Sequence, residues 1–124
     1  MPSSKAERME NILRTLRSAT PGILADAVVS RSDGLVIASA FPADEQGDRM
    51  AAMSSAMLKV GERATRELEV GSLGQMFLNG KNASLFLVEA GENAVLTALA
   101  NKDAQPGLVL LRMRRAAAEI KKII

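Results

Sequence analysis

The spacing of apolar residues changes along the chain, and each change predicts a new element of structure. The first apolar run recurs every three or four positions, which is the period of an amphipathic helix. Its members are Ala6, Met9, Ile12, Leu13 and Leu16. Ser4 and Glu7 have the spacing of a capping box before this run, and Thr20-Pro21-Gly22 ends it. A first helix is therefore predicted between these two signals.

Two short segments rich in Val, Ile and Ala follow, at residues 23–31 and 35–41. Ser32-Asp33-Gly34 separates them, and Asp-Gly is favoured in tight hairpin turns. The apolar alternation within both segments is loose, as expected for a sheet that helices cover on both faces. The pattern predicts two antiparallel strands.

Residues 42–47 are typical of a loop, and either Asp44 or Asp48 is predicted to cap a second helix that runs to about Leu68. Three strand-length segments come next, divided by Asn79-Gly80 and by residues 91–93. They predict a three-stranded meander.

A third helix is predicted at the end of the chain, with Asp103 as its cap and Pro106 in its first turn. The predicted order is α-β-β-α-β-β-β-α. It corresponds to one α+β domain over residues 1–124, with a five-stranded antiparallel sheet and helices on both faces.

Composition excludes several classes of chemistry. The 124 residues include no Cys, His, Trp or Tyr, which excludes disulfides, thiol catalysis and histidine-based catalysis or metal binding. The segment 74–82 differs from a P-loop in its glycine spacing, and Asn82 stands where Ser or Thr is required. We predict no catalytic residue, no metal and no cofactor. The polar N-terminus and the lack of a 20-residue apolar run predict a cytoplasmic protein without membrane insertion.

Acidic residues at two places in the sequence are candidates for a metal site or a functional carboxylate. Asp44, Glu45 and Asp48 are interpreted as helix-capping residues rather than metal ligands. Asp26 interrupts an apolar strand, and it is expected at the solvent-facing margin of the sheet. A functional carboxylate is the alternative interpretation of Asp26.

The second helix has more apolar surface than a single sheet should cover. At roughly 100° per residue, its weakly polar positions span about 200°, whereas a helix on one core needs a stripe of about 100° or somewhat more. The arc contains Met50, Ala51, Met53, Ser54, Ala56, Met57, Leu58, Val60, Gly61, Ala64, Thr65 and Leu68. Its methionines are adaptable and its small residues permit close approach. We expect one edge of the arc to pack on the sheet and the other on a partner; ordinary core packing is the alternative.

Several segments in this order resemble the roadblock family, the dynein light chain roadblock type. They are VVSRSDGLVIAS, DRMAAMSSAMLKVGERATREL, GENAVLTALA and PGLVLLRMRRAAAEI, and the resemblance covers about residues 6–122. Members of this family include the GTPase-activating partner of a Ras-like polarity GTPase in gliding bacteria.

The resemblance implies a homodimer in which the second helix and third strand meet their counterparts. On this sequence the dimer surface would include Met50, Met53, Ser54, Met57, Gly61, Leu73, Gln75, Met76, Phe77 and Leu78. The resemblance also implies a small Ras-like GTPase as partner. Candidate contacts with it are Arg49, Lys59, Arg63 and Arg66. An adaptor without GTPase specificity is the alternative function. An arginine finger at Arg31 or Arg49 is a weaker hypothesis, because any exposed arginine would look the same.

The last 24 residues carry six Lys or Arg against Asp103 and Glu119. On a helical wheel these cations are spread around an apolar stripe, which favours the solvated face of a structural helix. An acidic protein partner, an anionic membrane surface and nucleic acid are the alternatives. Nucleic acid is the weakest, because aromatic residues are not interleaved with the cations, and we predict no nucleic-acid partner.

Overall fold

The structure is a computed structural model that describes residues 3–40 and 45–124. The elements are α1 Lys5–Ala19, β1 Ile23–Ser30, β2 Val36–Ser39, α2 Glu45–Glu67, β3 Gln75–Asn79, β4 Ala83–Glu89, β5 Ala94–Asn101 and α3 Pro106–Ile123. The strands form one sheet in the order β2-β1-β5-β4-β3, with antiparallel neighbours throughout. The predicted element order and fold class are confirmed.

The sheet separates two unequal packing layers. The larger core joins α1 and α3 to one face, where Leu13 and Met113 pack with Phe86 and Leu96 of the sheet. On the other face, α2 contributes Ala51 and Leu58 to two smaller clusters. Because α2 lies alone on its face, much of its surface is left to solvent in the single chain.

The helix ends confirm one predicted cap and correct two others. Ser4 caps α1, since its Oγ accepts a hydrogen bond from the Glu7 backbone N–H at 3.1 Å. Of the two alternatives predicted for α2, Asp48 is not the cap because the helix already begins at Glu45, and Asp44 lies outside the described residues. The prediction for Asp103 was also wrong: α3 starts later, with Gln105 at the cap position and Pro106 in the first turn.

The first hairpin turns where Ser32-Asp33-Gly34 predicted. Asp33 Oδ1 accepts a hydrogen bond from the Leu35 N–H at 3.0 Å, and Gly34 has a φ of +75°. The strand after the turn is shorter than the predicted segment 35–41, because regular pairing spans only Val36–Ser39. Position 41 lies outside the described residues.

Asp26 lies in the core, and the expectation that it sits at a solvent-facing margin was wrong. It is on β1, an inner strand, and shares a sheet face with Val28 in the layer that α1 covers. The side chain is fully buried, and neither carboxylate oxygen has a hydrogen-bond partner among the described residues. Burial raises the pKa of Asp26 to about 7, and the Arg17 charge opposes part of that shift.

Candidate functional site: the α2–β3 surface

The inner edge of the α2 arc packs on the sheet. Ala51, Ser54, Leu58 and Gly61 are buried there. The Ser54 and Thr97 hydroxyls form a buried hydrogen bond of 2.8 Å, which fixes the helix over β5. Two members of the predicted dimer surface, Ser54 and Gly61, therefore face the chain's own sheet.

The outer edge of the same arc is exposed to solvent. Met53 is 53% exposed and Val60 is 68% exposed. Ala56, Ala64 and Leu68 are exposed beside them. Met50 and Met57 lie between the two edges and are half-buried against the sheet clusters. The structure thus divides the wide arc into one edge on the sheet and one uncovered apolar edge, as the sequence predicts.

Strand β3 forms one edge of the sheet and lies next to α2. Within the described residues it pairs with β4 alone, so the backbone groups on its other side are available for pairing. Phe77 and Leu78 are 43% and 55% exposed. Leu73 and Met76 are half-buried and pack towards the α2 cluster. β3 has neither proline nor charged side chains, so nothing in its sequence prevents its free edge from pairing with another strand.

Gly61 sets how closely α2 approaches β3. A Cβ at this position would lie 2.7 Å from the Met76 sulfur and 3.0 Å from Leu73 Cδ2. The helix and the strand-bearing segment therefore touch at the point where α2 has no side chain. This contact joins the exposed edge of α2 and the edge of β3 into one continuous surface, called here the α2–β3 surface.

The candidate partner contacts occupy different environments. Arg63 is tied to Glu67 one turn later, with Nε and Oε1 3.0 Å apart. Lys59 lies near the first hairpin and helps to lower the pKa of Asp33, although the main cause is the hydrogen bond from the Leu35 N–H. Arg49 and Arg66 are exposed. The four side chains lie along α2, but the structure does not gather them into one cluster.

Arg31 is engaged within the chain. Its Nε lies 2.6 Å from Glu62 Oε1 on α2, and its Nη1 lies 3.7 Å from Glu89 Oε1 on β4. Nη1 also donates to the Gly91 carbonyl at 3.4 Å. The side chain ties the first hairpin to α2 and to the β4–β5 turn, so it is not free to reach a partner as an arginine finger. Sequence spacing gives no signal of this network, because its members are 31 and 60 positions apart.

The chain offers neither an acidic metal site nor a membrane-spanning helix within its described residues. No group of three or more acidic residues able to hold a metal occurs in the described ranges, 3–40 and 45–124. Over the same residues, none of the helices combines the length and hydrophobicity that crossing a membrane requires.

Comparison with solved structures identifies the fold. The chain superimposes on a protein described as MglB with tetrameric arrangement with a TM-score of 0.86 and 22% identity, covering 99% of this chain and 92% of that one. The gliding protein MglB of Thermus thermophilus gives a TM-score of 0.85 at 21% identity, covering 99% and 93%. A Roadblock/LC7 domain from Streptomyces avermitilis gives 0.85 at 22%, covering 91% and 94%. The fold is also similar to that of profilin II of Acanthamoeba castellanii, with a TM-score of 0.62, 16% identity and coverage of 90% and 95%.

Sequence comparison gives the family directly. Two uncharacterised proteins of Methanocaldococcus jannaschii, MJ1340 and MJ0310, are each 37% identical to this chain over 102 residues, which is 82% of this chain and 88% of each relative. The sequence model of the Roadblock/LC7 domain family, a family of regulatory and interaction modules, matches residues 10–100. With its element order, its sheet and this match in agreement, the chain belongs to the Roadblock/LC7 domain family.

Proposed function

We propose that the chain is a non-catalytic, homodimeric regulatory module that binds a small Ras-like GTPase and modulates its activity. The observation that carries the proposal is the α2–β3 surface, where an uncovered apolar helix edge lies beside an unpaired strand edge. Both features are costly in an isolated chain, and a second copy related by a two-fold axis would cover both at once. The two sheets would then continue across the dimer.

The predicted dimer residues take different roles in this arrangement. Met53 and Leu78 are exposed on the α2 side and would contact the second copy directly, and Val60 joins them because of its exposure. Phe77 lies on the other face of β3, where its ring centroid is 4.7 Å from that of Phe86, and it would meet the second copy only along the strand edge. Half-buried Met50, Met57, Leu73 and Met76 would form the floor between the exposed side chains on the α2 side. Gln75 faces α3 instead, where its Oε1 accepts a hydrogen bond from Arg114 Nη1 at 3.0 Å, so only its backbone would take part in strand pairing. Ser54 and Gly61 would act indirectly, by holding α2 close to the sheet.

The proposed partner rests on family resemblance together with the kind of surface that the chain offers. The resemblance implies regulation of a Ras-like GTPase, and one structural neighbour is described as a gliding protein. The chain would act by binding, and would change the GTPase's own arrangement rather than supply a catalytic group. The candidate contacts on α2 are Arg49, Lys59, Arg63 and Arg66. A partner of this kind places the complex in the cytoplasm.

A single substitution tests whether the chain forms the proposed dimer. Val60→Glu places a carboxylate on a side chain that is already 68% exposed, so the fold of each copy should be preserved. In a dimer the same carboxylate would be buried without a partner, which costs several kcal/mol per copy, more than burial of a neutral polar group. Light scattering should show a dimer for the parent chain and a monomer for Val60→Glu, with unchanged circular dichroism.

Leu111→Glu is the matched control for this experiment, because Leu111 is 40% exposed on α3, on the other side of the sheet. It should remain dimeric. A monomeric parent chain at high concentration would refute the proposed dimer.

The GTPase is tested separately. Calorimetric titration of the dimer against Ras-like GTPases from the same cell, loaded with GDP or with a GTP analogue, should give binding that depends on the nucleotide. Absence of binding in both states, with an intact dimer, would refute the GTPase part of the proposal and leave the adaptor function.

A further inference from the structure

The positive charge of the chain is concentrated in one layer. Helix α1 carries four Lys or Arg and two Glu, and α3 carries five Lys or Arg and one Glu. These two helices together have a net charge of +6, whereas the whole chain has +2. The rest of the chain is therefore net acidic, and the α1–α3 layer is a basic face on the side of the sheet opposite α2.

A groove runs between these two helices. They lie antiparallel: Arg112 near the start of α3 donates to the carbonyl of Ala19 at the end of α1, at 2.7 Å, while Arg8 lies beside Lys122 at the opposite end. Two hollows of about 420 and 400 Å³ follow the seam and share Asn11 in their walls. From position 8 to position 19 the groove is about 16 Å long, at 1.5 Å per helical residue.

The groove has an apolar floor and a basic rim. Half-buried Ile12 lines the floor, and below it lie Leu16 and Ala116, which are only 5% and 8% exposed. The rim carries Arg8, Arg115 and Lys122, and none of the three has an ion pair or side-chain hydrogen bond within the described parts of the chain. Glu119 is the single acidic residue in the lining of the two hollows.

We propose that this groove, called here the α1–α3 groove, binds an acidic amphipathic helix of a partner protein. A helix with an apolar stripe flanked by Asp and Glu complements both the floor and the rim. The groove length corresponds to about three helical turns at 5.4 Å each. The site lies across the sheet from the α2–β3 surface, so it does not depend on the proposed dimer or GTPase and can be occupied at the same time.

The shape of the groove favours a protein segment over the two other occupants. Its apolar groups lie in the floor between two helices, below the basic rim, whereas an interfacial membrane helix presents its apolar side chains outward. A second copy of this chain would bring one basic face against another, and that arrangement is repulsive. An acidic amphipathic helix would be attracted by the basic rim and not repelled by it.

Selection from a displayed library of random peptides tests the proposal with the full-length chain. Peptides of about 16 residues are long enough to span the groove as a helix at 1.5 Å per residue. The selected pool should be enriched in Asp and Glu, with apolar residues at helical spacing. Its best member should bind less tightly as salt rises, in a fluorescence anisotropy titration.

Charge reversal locates the binding site. Arg115→Glu/Lys122→Glu replaces two attractive rim contacts by two repulsive ones, and it should raise the dissociation constant at least ~tenfold, given the energies of exposed charge pairs. Lys81→Glu/Lys102→Glu makes the same change in net charge at exposed positions that line neither hollow, and should leave the dissociation constant within about twofold.

Three results would overturn the proposal: no selected pool, a pool without acidic enrichment, or binding that survives reversal at Arg115 and Lys122. Sedimentation with phosphatidylserine vesicles examines the lipid alternative. Vesicle binding that depends on the same two cations, together with a failed peptide selection, would assign the basic face to a membrane surface instead.

Discussion

Replacing Asp26 by asparagine should remove a pH-dependent loss of stability. The substitution keeps the size of the side chain and removes its ability to ionise. In the folded chain, burial among apolar neighbours raises the pKa of Asp26 from 3.8 to about 7, against a smaller opposing effect of Arg17. In the unfolded chain the carboxyl returns to its ordinary pKa. Between these two values the folded chain holds a proton that the unfolded chain has lost.

The sign and size of the effect follow from proton linkage. Below pH 3.8 the carboxyl is neutral in both states, and its contribution to stability is fully present. As pH rises to about 7 the unfolded state ionises first, so the free energy of unfolding falls. A pKa difference of about three units corresponds to roughly 4 kcal/mol at 1.36 kcal/mol per unit. Above the folded-state pKa no further loss is expected.

Urea denaturation at a series of pH values from 4 to 8 measures this difference. The free energies of unfolding of Asp26→Asn and the parent should be similar near pH 4, and the variant should be the more stable by up to roughly 4 kcal/mol near pH 8. Asp33→Asn is the control: the hydrogen bond from the Leu35 N–H lowers the pKa of Asp33 below 3.8, so the stabilising effect of its carboxylate is lost only as pH falls below that value. The difference between Asp33→Asn and the parent should therefore stay constant from pH 4 to 8. Parallel curves for Asp26→Asn and the parent would refute a buried, unpaired carboxyl.

Two further predictions concern the packing of α2. Gly34→Ala should lower the free energy of unfolding by roughly 2 kcal/mol or more, because the φ of +75° is strained for alanine and the new Cβ would lie 2.7 Å from the Ser55 Cβ. Gly71→Ala is the control, since its φ is +97° but no atom lies within 4 Å of the new Cβ. It should cost only the backbone strain of about 1–2 kcal/mol. Equal losses in urea denaturation would contradict the role of Ser55. Ser54→Ala and Thr97→Val should each lower the free energy of unfolding by roughly 1–3 kcal/mol, because each leaves a buried hydroxyl unpaired. The double variant should lose less than the sum of the two single losses. Additive losses would show that the two hydroxyls are not coupled.

The order of elements could be predicted because it depends on local signals. Helical spacing around Leu13, turn chemistry at Asp33-Gly34 and at Asn79-Gly80, and the break at Thr20-Pro21-Gly22 all act within a few residues. The exact helix starts were harder to predict. Asp48 and Asp103 carry good capping side chains, but Asp48 lies inside the first turn of α2 and Asp103 lies two residues before the cap position of α3. Capping preference alone does not determine where a helix begins.

The excess apolar surface of α2 could also be predicted, since it depends only on the width of the arc. Which edge of the arc faces the sheet could not, because that orientation is set by contacts distant in sequence. The Ser54–Thr97 hydrogen bond joins positions 43 residues apart, and Gly61 contacts a side chain on β3. Small and hydroxyl-bearing residues therefore resembled interface residues in the sequence, although the structure uses them to hold α2 on its own sheet.

The environments of Asp26 and Arg31 show why single charged residues are the hardest to interpret from sequence. Both lie on or beside β1; in the sequence Asp26 interrupts an apolar strand, whereas Arg31 lies among Ser30, Ser32 and Asp33 at the hairpin turn. The structure buries Asp26 without a partner in the described residues, whereas it surrounds Arg31 with Glu62, Glu89 and the Gly91 carbonyl. The difference arises from the face of the sheet and from the helix that covers it. Asp26 points towards the apolar layer under α1, while Arg31 reaches α2 and the β4–β5 turn, where carboxylates are present. A charge that the fold leaves unpaired in this way weakens the core as pH rises, and its replacement provides a direct measure of how dry the α1 side of the sheet is.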